Sequence, residues 1–185
     1  MARTVRDRSK KVIGAGKYLR LVSKNGWEFV ERINATGVVA VVAITDANEI
    51  ILTEQFRGAV GKRVIDLPAG LAGDVKGSES EDLAVAARRE LIEETGFDAR
   101  RFELLAHSPS SPGLTTEIVT FFRAKQVRRV QDGGGGDGEE IETHLVKLDK
   151  AAAWFRRQSR LGKLVDCKAH AGLHFASRNP KRRKK

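Results

Sequence analysis

What most constrains this chain is a helix set between runs of strand. Residues 81–95 read as that helix. Ala84, Ala86, Ala87 and Leu91 give it an apolar face, and Gly96 stands where a helix ends in a left-handed residue. Ser78, with Glu81 three residues on, fits a capping box at its start. Before it, "KYLRLVSK", "WEFVERI", "GVVAVVAIT" and "IILTEQFR" are rich in β-branched and aromatic residues and read as strands. After it come "RFELLAHSP", "EIVTFFRAKQV" and "IETHLVKL", the last strand, and then a C-terminal helix "DKAAAWFRRQSRL" with Asp149 as N-cap. Strands before and after a central helix imply an α+β chain, an α/β/α arrangement with a mixed sheet.

The connections carry turn chemistry. Asp46 to Glu49 reads as a turn from which the next strand returns, and "VIDLPAGLAGDVKG" as a loop punctuated by Gly and Pro. "QDGGGGDGEE", with four consecutive glycines, is expected to be the loosest segment.

The helix itself is oddly charged. Glu90, Glu93 and Glu94 stand three and four residues apart, so like charges crowd neighbouring positions, opposite the apolar face. By itself this is an ordinary solvated acidic face. It becomes favourable if a divalent cation sits there, because hard cations take carboxylate oxygens and bind substrate phosphates as well. Arg89 is placed to orient one carboxylate, and Glu81 lies about two turns before it on a similar face.

Composition narrows the class. A chain of 185 residues, 41% hydrophobic and 31% charged, is expected to form one domain with small extensions. No apolar run reaches membrane-spanning length, the N-terminus lacks the apolar core of a secretory signal, and a cytoplasmic enzyme is expected. The lone Cys167 excludes an internal disulfide and a cysteine-based metal cluster. His107, His144, His170 and His174 show no metal-ligand spacing supported by a third ligand, and the "HAGLH" pair reads as structural. The net charge of +10 is concentrated at the termini. Such tails suit an anionic partner, nucleic acid above all, but no aromatics are interleaved, and "SRNPKRRKK" reads as a solubilising, disordered tail.

The segment from Glu81 to Phe97, E-x7-R-E-L-x-E-E-x-G-F, resembles the signature of the Nudix hydrolases, G-x5-E-x7-R-E-U-x-E-E-x-G-U. Every fixed position matches except the first glycine, which is Val75 here; Gly73 stands two residues earlier, so the loop looks lengthened by two. The resemblance implies a Nudix-type α/β/α sandwich with the signature as loop-helix-loop. It also implies hydrolysis of a pyrophosphate bond in a nucleoside diphosphate linked to another moiety. It would make Glu90 and Glu94 the chief Mg²⁺ ligands, with Mn²⁺ a possible substitute, Glu93 assisting, and Arg89 holding the glutamates in place.

Three features resemble the ADP-ribose pyrophosphatase subgroup. "IDLPAG" is similar to its "ELPAG" segment, with Asp66 in place of Glu, and implies the Ala69 carbonyl as a further metal ligand. Pro112 in "SSPGLTTE" stands fifteen residues after Phe97, near the offset of the subgroup's proline, with Glu117 closing that segment as a further acid. "TEQFR" resembles a strand whose arginine, here Arg57, contacts substrate phosphates; "GWEFVER" resembles a segment in which Trp27 would stack on adenine and Arg32 would bind phosphate. The catalytic base of the subgroup lies on a loop before the last strand, which offers Glu139 and Glu140, with Asp137 behind them. Members commonly form dimers through their first strands.

The expected organisation is residues 1–35 as N-terminal strands for dimerisation, 36–178 as the hydrolase domain and 179–185 as the basic tail. The leading expectation is a Mg²⁺-dependent homodimeric pyrophosphatase converting ADP-ribose to AMP and ribose 5-phosphate. The alternatives are GDP-mannose, a dinucleoside polyphosphate or capped RNA as substrate, or a non-catalytic nucleotide-binding regulator.

Overall fold

Three antiparallel strands open the chain: β1 (Lys11–Ala15), β2 (Leu19–Lys24) and β3 (Trp27–Arg32). The computed structural model describes residues 10–74, 77, 80–136 and 138–177. The elements that follow are β4 (Gly37–Ala43), β5 (Glu49–Arg57), β6 (Lys62–Asp66), β7 (Ala69–Ala72), α1 (Leu83–Thr95), β8 (Phe97–Pro109), β9 (Ile118–Arg129), β10 (Glu142–Lys147), α2 (Ala151–Arg160), β11 (Leu164–Val165) and α3 (Cys167–Ser177). They form two four-stranded sheets, ordered β7-β4-β9-β8 and β10-β5-β6-β11. Each sheet is mixed, with β4 parallel to β9 and β6 parallel to β11.

The apolar run of β4 shows how the layers form. A strand with no polar face must be covered on both sides. Val38, Ala40 and Val42 point into a core shared with Ile50, Leu52, Leu67 and Phe155, and with Ala169 of α3. Val39, Val41 and Ala43 point the other way, to Ala86, Ala87 and Leu91 of α1. Helices therefore sit on both sides, and the expected α/β/α sandwich is present. Each fully buried Val, Ile or Leu side chain contributes about 1.5–3 kcal/mol.

Several local expectations are corrected. The segment "VIDLPAGLAGDVKG" is not simply loop: it contains β6, ending at Asp66, and β7, separated only by Leu67 and Pro68. Period and punctuation hide these strands because both are short. β5 does not return alongside β4; the two lie in different sheets and share one bridge, Ile44 to Ile50. The cap of α1 is Asp82, whose carboxylate accepts from the Ala84 N–H at 2.8 Å, rather than Ser78, which lies outside the described residues. Gly96 does end α1, at φ 74°. Lys150, not Asp149, occupies the N-cap of α2, without a side-chain bond. The strand β10 is not the last, since β11 and α3 follow it.

The glycine run is anchored rather than loose. The N–H groups of Gly134 and Gly135 donate to the carbonyls of Glu94 and Glu93 at 3.0 Å each, filling the open C-terminal end of α1. Gly133 lies so near that an added Cβ would meet the Thr95 carbonyl carbon at 2.4 Å.

Candidate active site

Helix spacing and burial together set the site. Glu90 and Glu94 are one turn apart on α1 and both are buried, 9% and 6% exposed. This corrects the expectation that the acids stand opposite the apolar face. Only Glu93 points outward among the three, because its position is rotated from the other two. The two buried carboxylates face the turn between β6 and β7. Glu94 Oε2 accepts from the Ala69 N–H at 2.9 Å. Glu90 lies against Gly70, where a Cβ would come within 2.0 Å of its carboxyl carbon, so a side chain there would displace the Glu90 carboxylate.

Arg89 ties the acids together. Its guanidinium donates to Glu90 Oε1 at 2.8 Å, Glu93 Oε2 at 3.3 Å, both oxygens of Glu81 at 3.3 Å and the Leu71 carbonyl at 2.8 Å. Burial works against its charge, but the Glu81 hydrogen bond and the surrounding carboxylates hold it firmly protonated. Glu81 serves this ion pair, not a capping box.

The carboxylates remain under-neutralised. Burial pushes Glu94 up to about 9, with Glu90, Asp66 and Glu139 adding repulsion against the Ala69 hydrogen bond. Burial likewise pushes Glu90 up to about 7, with Arg89 pulling it down and Glu93 raising it. No cationic side chain is bonded to Glu94 among the described residues. Buried carboxylates facing one another in a polar hollow are a donor set for a hard divalent cation. Glu90, Glu94 and the adjoining Ala69 fit that role, with Glu93 alongside.

The hollow above them has a volume of about 680 Å³. Glu90, Glu94, Ala69, Glu139, Arg32, Arg57 and Glu117 all line it. Arg32 Nε donates to Glu117 Oε2 at 2.6 Å, pairing two residues that sequence placed far apart. Glu139 accepts from the Gly136 N–H at 3.3 Å; Glu140 is exposed and does not line the hollow, and Asp137 lies outside the described residues. Trp27 and Pro112 are not part of it. They line a separate hollow of about 560 Å³ with Phe29 and Ile118, where Trp27 is 69% exposed.

Sequence reasoning missed one wall of the site. Asp166 and Lys168, at the junction of β11 and α3, line the same hollow next to Asp66. Lys168 Nζ lies 2.9 Å from both Asp66 Oδ2 and Asp166 Oδ1. Burial pushes Asp66 up to about 6, against the pull of Lys168. The signal available was Asp166 as an N-cap before the helix-forming "CKAHAGLH".

A second group, Glu54, Glu142 and His144, also brings three possible metal-ligating atoms within 4.8 Å. It is already compensated. Burial opposes the Glu54 charge, but Lys163, Arg63 and His144 hydrogen-bond the carboxylate and hold it down to about 2. The remaining histidines read as structural: His170 packs edge-on against Phe155, His174 against Phe175, and His107 bonds Thr120.

A sandwich carrying buried acids and an arginine hub on a helix, over a glycine turn, defines a class of protein. The chain belongs to the NUDIX domain family, matched over residues 35–164. It is 34% identical over 129 residues to the methanol dehydrogenase activator of Bacillus methanolicus, covering 69% of this chain and 67% of that protein. It is 34% identical over 122 residues to the ADP-ribose pyrophosphatase of Bacillus subtilis strain 168, covering 65% and 63%. The shared stretch thus spans about two thirds of those relatives' own lengths. A crystal structure of an ADP compounds hydrolase superposes with a TM-score of 0.68 at 18% identity, over 93% of this chain and 91% of that one, a likeness of fold. No described helix is long and apolar enough to cross a membrane.

Proposed function

We propose that this protein hydrolyses the pyrophosphate bond of a nucleoside diphosphate sugar, ADP-ribose first among them, to AMP and ribose 5-phosphate. The observation that carries this reading is Glu94: a buried carboxylate with no cationic partner among the described residues, beside Glu90, on the floor of a hollow that also presents Arg32 and Arg57. Mg²⁺, or Mn²⁺ in its place, would be held by Glu90, Glu93, Glu94 and the Ala69 carbonyl. When bound, such a cation neutralises diphosphate charge and lowers the pKa of water.

The chain's own groups do the rest. Arg32 and Arg57 offer planar, forked donors to the diphosphate oxygens. Arg89 keeps Glu90 and Glu93 in place without touching the substrate. Glu139 is the best placed of the loop acids to take the proton of the attacking water, since it lines the hollow and Glu140 does not. Water adds to one phosphorus, the bridging P–O bond breaks, and both fragments leave as monophosphates. Residues 36–178 make up the hydrolytic unit in this reading. Residues 1–35 are the pairing segment of a homodimer, which would bring Trp27 of one copy toward the base bound by the other. The basic 179–185 segment, expected to be a solubilising tail, lies outside the described residues.

The test is a panel of ADP-ribose, GDP-mannose, UDP-glucose, a dinucleoside tetraphosphate and a dNTP, assayed with Mg²⁺ on wild type and Glu94→Gln. Cleavage of ADP-ribose to AMP, with a loss of orders of magnitude in Glu94→Gln, is expected. Wild-type activity in Glu94→Gln overturns the assignment of the acids. Preference for another member of the panel corrects the substrate, and binding without turnover favours a regulator.

A further inference from the structure

We propose that Asp166 and Lys168, at the head of α3, hold the non-nucleotide sugar of the substrate by its hydroxyl groups. The inference rests on the nucleoside diphosphate sugar reading above and adds to it the residues that choose the sugar. The hollow has three chemically different sides. Its floor is acidic, with Glu90 and Glu94. One side is cationic, with Arg32 and Arg57, and suits the diphosphate. The remaining side is Asp66, Asp166 and Lys168.

The hydrogen-bond inventory of that third side is specific. A lysine ammonium has three donors. Lys168 Nζ is ion-paired with Asp66 Oδ2 and Asp166 Oδ1, at 2.9 Å each, which leaves a third N–H. Asp166 Oδ1 is occupied by Lys168, through both its Nζ and its backbone N–H at 2.8 Å, and by the Cys167 thiol at 3.4 Å. Its Oδ2 accepts no hydrogen bond among the described residues. Among the described residues, the third Lys168 N–H and Asp166 Oδ2 are thus left over on two residues that line the hollow. Two carboxylates against one ammonium leave the trio net negative, which disfavours a phosphate. A sugar's neighbouring hydroxyls donate as well as accept, and they match both groups.

The wall is also held firmly relative to the catalytic turn. β11 pairs in parallel with β6, Val165 opposite Ile65, and the Asp166 N–H donates to the Ile65 carbonyl at 2.8 Å. Gly172 of α3 sits where a Cβ would meet the Leu67 side chain at 2.6 Å, so α3 rests directly on the segment that leads into Ala69. Such groups are fixed before the ligand arrives. They also lie beyond residue 164, where the family match ends.

The experiment compares wild type, Asp166→Asn and Lys168→Met with saturating Mg²⁺. It measures kcat and KM for ADP-ribose and the competitive inhibition constant of ADP, which has the same diphosphate and base but no second sugar. Asn is an accepted N-cap, so Asp166→Asn keeps the start of α3 even if Lys168→Met proves unstable. KM for ADP-ribose is expected to rise about tenfold in each variant, with kcat within about twofold and the ADP constant within about twofold. A parallel rise in the ADP constant, an unchanged KM, or a loss confined to kcat overturns the inference while leaving the hydrolase reading intact. Failure of the wild type to cleave any nucleoside diphosphate sugar overturns that reading, and this inference with it.

Discussion

Glu94 shows what a single residue contributes here. Its carboxyl is pushed up to about 9 by burial, far above the usual range near 4.3. Between those values the folded protein keeps a proton that the unfolded chain releases, so the cation-free protein loses stability as pH rises through that window. Glu90, pushed up to about 7, acts in the same direction over the lower part of it. A divalent cation bound in the proposed site would take the place of the proton, so its stabilising effect is expected to grow with pH. Thermal unfolding with and without Mg²⁺ is expected to show a larger rise in Tm near pH 9 than near pH 6. In Glu94→Gln the difference between the two pH values shrinks. An equal rise at both pH values in the wild type argues against a cation on these acids. Glu90, Glu93 and Glu94 were legible as a group because they lie on one helix, where spacing fixes proximity. Arg32 with Glu117, and Lys168 with Asp66, were not paired in advance, because only the folded chain brings those segments together.

At the scale of elements, the glycine run connects the end of α1 to the hollow. Read as a sequence, four glycines mean freedom; in the fold, Gly133 is pressed on Thr95 while Gly134 and Gly135 donate to Glu94 and Glu93. The loop therefore closes the end of the helix that carries the acids, and it delivers Glu139 to the same hollow. Gly133→Ala would force the segment off the helix end. Overpacking of this kind costs roughly 1–3 kcal/mol, or about 2–12 °C in Tm for a chain this long. A fall in kcat is expected with it, because Glu139 moves. Gly136, which has open space around an added Cβ, serves as the control: Gly136→Ala is expected to leave Tm within about 1–2 °C. Equal melting of the two variants would mean that the contact with α1 has no effect on stability. The long, strongly patterned elements β4, β5, β9 and α1 were legible in sequence because burial imposes their pattern. β6, β7 and β11, of five, four and two residues, are too short to show a period, and α3 lacked a clear polar stripe.

For the whole molecule, the sandwich accounts for its two four-stranded sheets but leaves the three-stranded sheet of β1, β2 and β3 partly uncovered. Val12, Ile13, Tyr18, Leu19 and Leu21 are all more than a third exposed, and Trp27 is more exposed than any of them. Among the described residues, this exposed apolar surface lies in the same sheet as Trp27, which lines a hollow with Pro112, and is of the kind that suits a protein partner. A second copy of the chain is the partner we expect, with the uncovered sheets packed together and the Trp27 hollow near the join. Leu19 and Leu21 lie on one face of β2, while Val22 points to the other and is buried. Charges at the first two positions should therefore break association without opening the interior. Light scattering after size exclusion is expected to give twice the chain mass of 20.4 kDa for the wild type and the single mass for Leu19→Glu with Leu21→Glu. If the base is bound across the join, the double variant also raises KM for ADP-ribose while Mg²⁺ still raises its Tm, because the acid cradle lies within one chain. A monomeric wild type removes the dimer. A dimeric wild type whose disrupted variant keeps its KM confines the substrate site to a single copy and returns Trp27 to an ordinary surface position.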